Sequence, residues 1–274
     1  MADSTPSVFI FCALACEAKP LIGAWKLKKL TAASHPFAIH ADSSRVVVVT
    51  GIGQTAMAGA VGYTMALFAH PPLPVMLNLG IAGHHNLPLG SLVLGHKIVA
   101  CESGRGFYPQ FPFTISQPTR TISTQAKPNT HYSTDALFDM EASAFYEMAL
   151  KFSSSELIHV VKIISDNHQS PVTAISESTV EHWISAQLAA FEEILELLLA
   201  QNPQLRPHEP ELYQVMLREF HFTVSGRLKL KALLQRWRVL KGEAPPIGPS
   251  GQFRSGGEYL LWLEKQLDEA AFFL

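Results

Sequence analysis

The stretches Phe138–Ala142 (FDMEA) and Ile164–Asp166 (ISD) decide the fold class of this chain of 274 residues. Each stretch places an acidic residue directly after an apolar run. We predict a strand at Leu137–Phe138, a helix over Ala142–Phe152, and a buried strand over Leu157–Ile164. Ligands of open α/β sheets bind just beyond the carboxyl ends of the strands. The sequence therefore predicts a ligand site that contains one acidic side chain from each stretch.

Each of these two carboxylates also has a purely structural explanation. Glu141 is suitably placed to complement the dipole of the helix that follows it. Asp166 is suitably placed to cap a turn. For a single carboxylate the structural explanation is as good as the functional one, so the remaining segments of the chain have to decide.

The composition predicts a folded protein with a large core, because 47% of the residues are hydrophobic and 16% are charged. The net charge of -2 argues against nucleic acid and an anionic membrane as partners. Cys12, Cys16 and Cys101 are few and odd in number, which is typical of free thiols in a reducing compartment. The amino terminus lacks the basic start of a secretory signal, and no apolar run reaches membrane-spanning length. We therefore expect a soluble, cytoplasmic protein.

The first two thirds of the chain alternate between strand and helix patterns. A helix is predicted over Thr55–Ala69, a turn at Gly80–Gly83, and a long amphipathic helix over Thr173–Ala200 that ends at Asn202-Pro203. Further strands are predicted at Val8–Ala15, Phe37–Ala41, Arg45–Thr50, Val75–Leu79, Ser91–Ala100 and Arg120–Gln125. The second and third of these strands form a hairpin. This order indicates an α/β fold with a mainly parallel or mixed sheet flanked by helices.

The remainder of the chain has a different texture. Three helices are predicted at Glu211–Phe220, Arg227–Leu240 and Glu258–Phe272, with a spacer rich in Gly, Pro and Ser over Gly242–Gly257 between the last two. Residues 206–241 are distinctly basic; a solvated helix face is the simplest explanation, and contact with nucleic acid or a partner protein is the alternative. We predict two domains, residues 1–202 and a helical extension of unknown role at residues 203–274.

Five short segments, taken in order, resemble a known family. They are Ala13–Glu17 (ALACE), Thr50–Gly53 (TGIG), Asn78–Gly83 (NLGIAG), Asp139–Ala142 (DMEA) and Ile164–Asp166. Together they resemble the nucleoside phosphorylase/nucleosidase superfamily, most closely its 5′-methylthioadenosine/S-adenosylhomocysteine nucleosidases, over roughly residues 8–200. The resemblance implies a three-layer phosphorylase-like fold with a central mixed sheet flanked by helices. The helical extension has no counterpart in the ordinary nucleosidase.

The resemblance also implies roles for individual residues. Cleavage of an N-glycosidic bond requires a proton donor for the leaving purine and a nucleophile for the anomeric carbon. Asp166 would donate to purine N7, and Glu17 would orient and activate the attacking water. Glu141 would accept from the ribose 2′- and 3′-hydroxyls, with Met140 beneath the sugar. The other residues expected to bind substrate are Lys162, Ser165, Ile81, Gly83 and Phe107.

Three departures from the family pattern bear on the reaction. Asn78 stands where the phosphorylases carry a phosphate-binding arginine, so water is the expected nucleophile. Ile81 stands where nucleosidases carry a serine, and Lys162 replaces an arginine, which changes how the water is held. An apolar residue at position 81 also resembles the futalosine hydrolases, but these carry asparagine at the position of Asp166. An aminopurine is therefore the expected base.

The segment between Gly83 and Asp139 is several tens of residues shorter than in typical family members. The aromatic that stacks on the base is expected there. Phe107, Tyr108 and Phe113 are its candidates, from this chain or from the neighbouring subunit of a homodimer. His84-His85 and the pair Asp166/His168 have no third ligand at a useful spacing. We therefore expect neither a metal nor a cofactor.

The sequence thus predicts a purine nucleosidase that hydrolyses a 5′-modified adenosine, with a place in purine metabolism and methionine salvage. Two alternatives remain. One is a catalytically impaired nucleoside-binding or regulatory protein, in which Ile81, Lys162 and the shortened middle mark lost chemistry. The other is a phosphate-dependent nucleoside phosphorylase. The helices after Asn202 would cover the site, form an oligomer interface or bind another protein.

Overall fold

A computed structural model describes residues 6–31, 35–69, 71–129, 131–205, 210–242, 246 and 253–271. The chain divides into two compact units, Met1–Arg206 and Pro207–Leu274. Most of the predicted spacer over 242–257 lies outside the described residues. No helix in the described ranges is both long and apolar enough to cross a membrane.

The first unit is built on one mixed sheet. Its strands are β1 (Val8–Cys12), β2 (Lys28–Lys29), β3 (Ala38–Ala41), β4 (Arg45–Val49), β5 (Val75–Gly83), β6 (Leu92–Ala100), β7 (Gly106–Phe107), β8 (Thr119–Thr124), β9 (Leu137–Asp139) and β10 (Ile158–Asp166). Its helices are α1 (Ala15–Trp25), α2 (Gln54–Leu67), α3 (Ala142–Ala149), α4 (Glu177–Ala186) and α5 (Leu188–Leu205).

Four parallel strands run through the middle of the sheet in the order β4, β1, β5 and β10. Beyond β10 the sheet continues antiparallel into β6, and then parallel into β8 and β9. Strand β9 pairs with β5 through Phe138 and Gly83. A closed ring is therefore formed by β5, β10, β6, β8 and β9. The carboxyl ends of β1, β5 and β10 consequently meet at one edge. The predicted hairpin of β3 and β4 is confirmed.

Helices cover both faces of this sheet. On one face, side chains from α2 and α3 such as Met57, Val61 and Phe145 pack in the core. On the other, Leu21 of α1, and side chains of α4 and α5 such as Phe191, form a second apolar cluster. Burying each such side chain stabilises the fold by roughly 1.5–3 kcal/mol. The predicted three-layer α/β architecture is confirmed.

Helix α1 was not predicted from the sequence; it contains Pro20 and Gly23, two residue types that disfavour a helix interior. Its first turn is closed by Glu17, whose Oε2 accepts the backbone N–H of Leu14 at 2.9 Å. This bond satisfies one of the donors that a helix start leaves unpaired. The helix therefore begins at once after β1 and places Glu17 at the edge of the sheet.

The predicted turn at Gly80–Gly83 is wrong, because β5 continues through it. Strand β10 pairs with these residues one by one, Lys162 with Gly80 and Ile163 with Ile81. A Cβ atom at Gly80 would lie 3.0 Å from Glu17 Oε1 and 3.3 Å from Lys162 Nζ. Glycine is needed at this position because two buried side chains approach the strand there.

The single long helix predicted over Thr173–Ala200 is also wrong. A short 3₁₀ turn occupies Val172–Ala174, and Ser176 then caps α4 by accepting the N–H of Thr179 at 3.2 Å. A serine that bonds the backbone favours a helix start over a helix interior. The chain breaks again at Gln187, and α5 continues to Leu205, past the Asn202-Pro203 pair expected to end it.

The second unit contains the three predicted helices, α6 (Glu211–Glu219), α7 (Val224–Lys241) and α8 (Gly256–Ala271). They enclose a small core that includes Leu230, Tyr259, Leu263 and Leu267. Helix α7 is capped by Thr223, whose Oγ1 accepts the N–H of Gly226 at 3.1 Å. Lys229 of α7 lies 2.8 Å from a carboxylate of α8, so part of its basic side is paired within the unit.

Candidate active site

A cavity of about 180 Å³ opens where β1, β5, β9 and β10 end. Carboxylates of Glu17, Asp139, Glu141 and Asp166 line it. Most of the remaining lining is apolar and includes Leu14, Ile52, Ile81, Met140 and Val172. A few polar groups in a largely apolar concave surface are typical of small-molecule sites. Seven of the residues predicted from the sequence line this cavity: Glu17, Ile81, Gly83, Met140, Glu141, Ser165 and Asp166.

Glu17 is buried, with 2% of its surface exposed, and both of its oxygens are held by backbone N–H groups. One is that of Leu14, and the other is that of Ile81, which donates to Oε1 at 2.9 Å. Burial raises the pKa of Glu17 to about 7, and these backbone hydrogen bonds and Lys162 act in the opposite direction. The side chain is therefore rigidly placed and able to exchange a proton near neutral pH.

Lys162 and Asp139 form a buried ion pair beside the cavity. Lys162 Nζ lies 2.9 Å from Asp139 Oδ2, and the two side chains are 1% and 0% exposed. Burial disfavours the charged lysine, but the carboxylates of Asp139, Glu141 and Glu17 outweigh it and raise the pKa of Lys162. Lys162 itself is not among the cavity-lining residues. Its charge acts on the carboxylates from behind the surface that a ligand would touch.

Asp139 also organises the start of α3. Its Oδ2 accepts the N–H of Ala142 at 2.8 Å, and its Oδ1 accepts the hydroxyl of Thr124 at 2.7 Å. The same Thr124 oxygen accepts the N–H of Ser143 at 3.0 Å. These bonds and the ion pair with Lys162 engage both of its oxygens, so we assign Asp139 a structural role in the site.

Glu141 stands at the junction of β9 and α3, with 7% of its surface exposed. Its Oε1 accepts the backbone N–H of Gly53 at 2.7 Å, and Gly53 has a φ of 97°. This φ lies in a region that L side chains rarely adopt, which explains the glycine. Burial raises the pKa of Glu141, and Lys162 opposes the rise. The bond from Gly53 orients the carboxylate at the cavity wall.

A bulge in β10 delivers two adjacent polar side chains to the cavity. The pairing register with β5 shifts between Ile164 and Asp166, which leaves Ser165 as the extra residue. Successive residues of a regular strand point to opposite faces, and a bulge re-aims them. Ser165 and Asp166 consequently both line the cavity.

Both oxygens of the Asp166 carboxyl accept hydroxyl groups. The hydroxyl of Ser165 donates to Oδ1, and the phenol of Tyr132 donates to Oδ2. Asp166 is 5% exposed and Tyr132 is 4% exposed. Each carboxyl oxygen has two lone pairs, so each keeps one further direction in which to bond a ligand.

Phe107 and the two other candidate aromatics do not line the cavity. Phe107 is 6% exposed and packs in the core, with its ring 5.7 Å from that of Tyr146. Phe113 packs against Phe111 and His159, and Tyr108 is 58% exposed. The expectation that Phe107 closes the pocket of its own chain is therefore wrong. An aromatic in a Pro-rich loop gives no signal that separates core packing from a pocket wall.

His84, His85 and Asp135 lie close enough together to suggest a metal site. His84 Nδ1, however, accepts two backbone N–H groups of the following turn, at 3.2 and 3.0 Å. Its proton must therefore lie on Nε2, where it faces Asp135 Oδ1 at 3.1 Å. Arg120 Nε lies 3.4 Å from Oδ2 of the same aspartate and supplies the positive charge. The arrangement favours a hydrogen-bonded cluster, since a cation on Nε2 would break these bonds.

Asp139 and Tyr132 are two polar residues at the site to which the sequence assigned no role. Asp139 lies within the DMEA segment, Asp139–Ala142, but its partner Lys162 is distant in the chain. Tyr132 lies in the polar loop between β8 and β9, where only the closure of the sheet brings it to Asp166. No pattern local to either residue signals these contacts.

No family model matches the sequence, and no curated protein sequence matches it. Solved structures do match the fold. A 5′-methylthioadenosine/S-adenosylhomocysteine nucleosidase from Colwellia psychrerythraea 34H, in complex with adenine, is 20% identical, with 71% of this chain and 95% of that chain covered and a TM-score of 0.54. A 5′-methylthioadenosine nucleosidase from Arabidopsis thaliana in apo form is 15% identical, with 71% and 96% covered and a TM-score of 0.55.

A third match is the futalosine hydrolase of Helicobacter pylori strain 26695, which is 13% identical over 72% of this chain and 99% of that chain, with a TM-score of 0.53. At such identities the likeness establishes the fold and leaves the chemistry to the site. These proteins belong to the nucleoside phosphorylase/nucleosidase superfamily. The chain therefore has the phosphorylase-like fold of these nucleosidases.

Proposed function

We propose that this protein hydrolyses the N-glycosidic bond of a purine nucleoside, with a 5′-modified adenosine as the substrate class. The observation that carries the proposal is the cavity in which Glu17, Glu141 and Asp166 converge. Each of these carboxylates stands in a different electrostatic environment. Such differences in environment allow the carboxylates of a single site to serve as an acid, a base and a binding group.

Glu17 is the group that activates water. With a pKa of about 7, raised by burial, it is ionised in a useful fraction of molecules at neutral pH and still basic enough to take a proton. Two backbone hydrogen bonds hold it in place, so little reorganisation is required when it acts. Lys162, whose Nζ approaches Gly80 beside Glu17, stabilises the ionised form of this glutamate without lining the cavity.

Asp166 is the proton donor to the leaving base. In the reaction its carboxyl proton passes to N7 of the purine, and the electron pair of the N-glycosidic bond moves into the base. The oxygen of water then bonds to the anomeric carbon, and the proton of that water passes to Glu17. The wall near Asp166, which includes Gly83 and Phe138, provides an apolar surface for the base.

Glu141 and Met140 bind the ribose. A carboxylate anchored by the Gly53 N–H accepts hydrogen bonds from the vicinal 2′- and 3′-hydroxyls. Met140 lines the same wall and offers an apolar contact to the sugar ring. Leu14, Ile52 and Val172 make the rest of the cavity apolar, which suits a 5′ substituent without charge.

Water is a better nucleophile for this site than phosphate. No Lys or Arg occurs among the described residues that line the cavity, and a phosphate needs such a partner. Asn78, at the position where phosphorylases carry arginine, is 1% exposed and donates to the Phe11 carbonyl at 3.0 Å. This argues against the phosphorylase alternative.

An impaired nucleoside-binding protein is the second candidate. The observation that favours it is Ile81, whose apolar side chain lines the cavity beside Glu17 and offers no hydroxyl to the proposed water. The first proposal also includes a cytosolic homodimer that takes part in methionine salvage. Light scattering on the purified chain tests whether it is a dimer.

The deciding experiment incubates the purified protein with methylthioadenosine, adenosylhomocysteine, 5′-deoxyadenosine, inosine and futalosine, with and without phosphate. Free base is followed by chromatography, and Asp166→Asn is the matched variant. Release of adenine without phosphate, lost in Asp166→Asn with the fold intact, is the expected result. Tight nucleoside binding without base release would favour the second candidate, and a requirement for phosphate would restore the phosphorylase.

A further inference from the structure

Tyr132 contacts the proposed proton donor from outside the cavity. It lies in the loop between β8 and β9 and is 4% exposed, and its hydroxyl donates to Asp166 Oδ2. It does not line the cavity, so it has no direct access to a ligand there. Burial, and then the bond to Asp166, raise the pKa of the Tyr132 phenol well above its usual value, so it stays a donor.

The loop around Tyr132 is built to hold this side chain in place. Asn129 Oδ1 accepts the backbone N–H groups of His131 and Tyr132, both at 2.8 Å. Tyr132 has a φ of 42°, in the left-handed region that is uncommon for a bulky residue. Its ring packs edge-on against Phe138 at 6.2 Å and His168 at 5.1 Å. An unfavourable backbone conformation that persists is a sign that the surroundings require this side chain here.

Gly83 supplies the space in which Tyr132 meets Asp166. A Cβ atom at Gly83 would lie 2.4 Å from Asp166 Oδ2 and 2.7 Å from Tyr132 Cε1. Real Cβ atoms do not approach other atoms so closely, so any other residue would force the two side chains apart. The contact therefore depends on three separate segments of the chain.

We propose that Tyr132 is a positioning residue for Asp166, which fixes the plane of the carboxyl and stabilises the anion left when its proton passes to the purine. This inference rests on the proposed function. A donor aimed at charge that develops in the transition state stabilises that state more than the ground state. Tyr132 thus contributes to kcat more than to substrate affinity.

Other polar and titratable groups lie near Tyr132 and Asp166. His168 faces the Tyr132 ring, and the backbone N–H of His84 donates to the Asp166 carbonyl at 2.9 Å. His84 is buried, its pKa is lowered first by burial and then by His85, and it is neutral near pH 7. Among the described residues, the carboxyls of Glu17, Asp139 and Glu141 also line the cavity, and Lys162 is paired with Asp139.

The test compares Tyr132→Phe with Tyr146→Phe. Tyr146 is 1% exposed, and its hydroxyl has no hydrogen-bond partner among the described residues, so it is a matched buried phenol without a link to Asp166. We expect kcat of Tyr132→Phe to fall roughly 10- to 100-fold, as for loss of a hydrogen bond to a charged group, with a KM within about threefold of the wild type. Tyr146→Phe should match the wild type.

The pH profile separates positioning from a merely structural role. Without the phenol, the ionised carboxyl loses a stabilising donor, so Asp166 keeps its proton to higher pH. The alkaline limb of kcat should therefore move to higher pH in Tyr132→Phe and stay in place in Tyr146→Phe. A uniform loss of activity at every pH, or an unchanged kcat, would overturn the inference.

A second measurement tests the inference even if the wild type releases no base. That outcome would contradict only the proposed function. The ¹³C carboxyl resonance of Asp166, assigned by its absence in Asp166→Asn, is titrated in the wild type and both tyrosine variants. A higher midpoint in Tyr132→Phe alone supports the inference. Identical midpoints in all three folded proteins, checked by circular dichroism, contradict it.

Discussion

The Lys162 ammonium lies 2.9 Å from the Asp139 carboxylate, and both side chains are almost fully buried. Glu17 and Glu141 also act on this lysine, so one cation balances three carboxylates at the floor of the cavity. A buried pair is costly to create, and removing one partner is costlier, because a single unpaired charge then remains. The pair thus couples the stability of the unit to the electrostatics of the site.

Replacement of Lys162 by Met should destabilise the protein by about 3–5 kcal/mol, since it leaves Asp139 buried without its cation. Equilibrium denaturation measures this loss. Lys229→Met is the control, because Lys229 forms an ion pair with Glu264 that is about half exposed, and such pairs contribute about 0–1 kcal/mol. Equal effects of the two substitutions would contradict the assigned importance of the buried pair.

The raised pKa of Glu17, about 7, predicts an unusual dependence of stability on pH. The folded state keeps this proton between the ordinary glutamate pKa of about 4.5 and about 7, and the unfolded state loses it. Stability falls with rising pH wherever the folded state binds more protons. The contribution of Glu17 is therefore fully present below about 4.5, is lost progressively up to about 7, and totals about 3 kcal/mol at most.

Glu17→Gln should remove this part of the pH dependence, because glutamine does not titrate. The free energy of unfolding of both proteins is measured by denaturation between pH 4 and pH 8, in steps of about one pH unit. The slopes of these free energies against pH are then compared. A wild type whose slope matches that of the variant would show that Glu17 titrates normally. The same variant should lose base release, since glutamine is unable to accept the proton of water.

Gly80→Ala should lower activity more than stability. The added Cβ atom would meet Glu17 Oε1 at 3.0 Å and Lys162 Nζ at 3.3 Å, so one of these side chains must shift by a few tenths of an ångström. A misplaced base of this kind reduces kcat by up to about 100-fold. Gly23→Ala is the control, because nothing lies within 4 Å of the added atom. Similar kcat values for both variants would refute the steric argument.

The sequence predicts those parts of the fold that local patterns encode. β-branched runs indicated β4 and β10. Glu141 and Asp166 could be named because each stands at the end of a strand, and Glu17 was named from the family resemblance. The predicted long helix over Thr173–Ala200 failed because Ser176 bonds the backbone and starts a new helix. Periodicity alone does not report such a local competitor.

These local patterns do not predict contacts between segments that are distant in the chain. Lys162 was expected to touch substrate, yet it faces Asp139, because it precedes the bulge at Ser165 that turns only the last residues of β10 to the cavity. Tyr132 reaches Asp166 only because β9 closes the sheet onto β5. Both contacts depend on the register of strands that are far apart in sequence, and register is set by the assembled sheet.

Ile81→Ser tests whether the apolar residue at this position limits the reaction. Ile81 lines the cavity, and its backbone N–H donates to Glu17, so a serine hydroxyl there would lie close to the proposed water. We expect kcat/KM to rise by up to about fivefold, as an added hydrogen bond of about 1 kcal/mol allows. The loss of partly buried apolar surface should lower the free energy of unfolding by about 1–2 kcal/mol.

Ile52→Ser is the matched control for this substitution. Ile52 also lines the cavity, but it is 59% exposed and has no hydrogen bond to Glu17 among the described residues. Its replacement should leave stability close to that of the wild type and should not raise kcat/KM, because it removes apolar surface from the wall for the 5′ substituent and adds no hydroxyl beside Glu17. If Ile81→Ser is no faster than Ile52→Ser, the water is held by Glu17 and the backbone alone, and the isoleucine restricts nothing in the reaction.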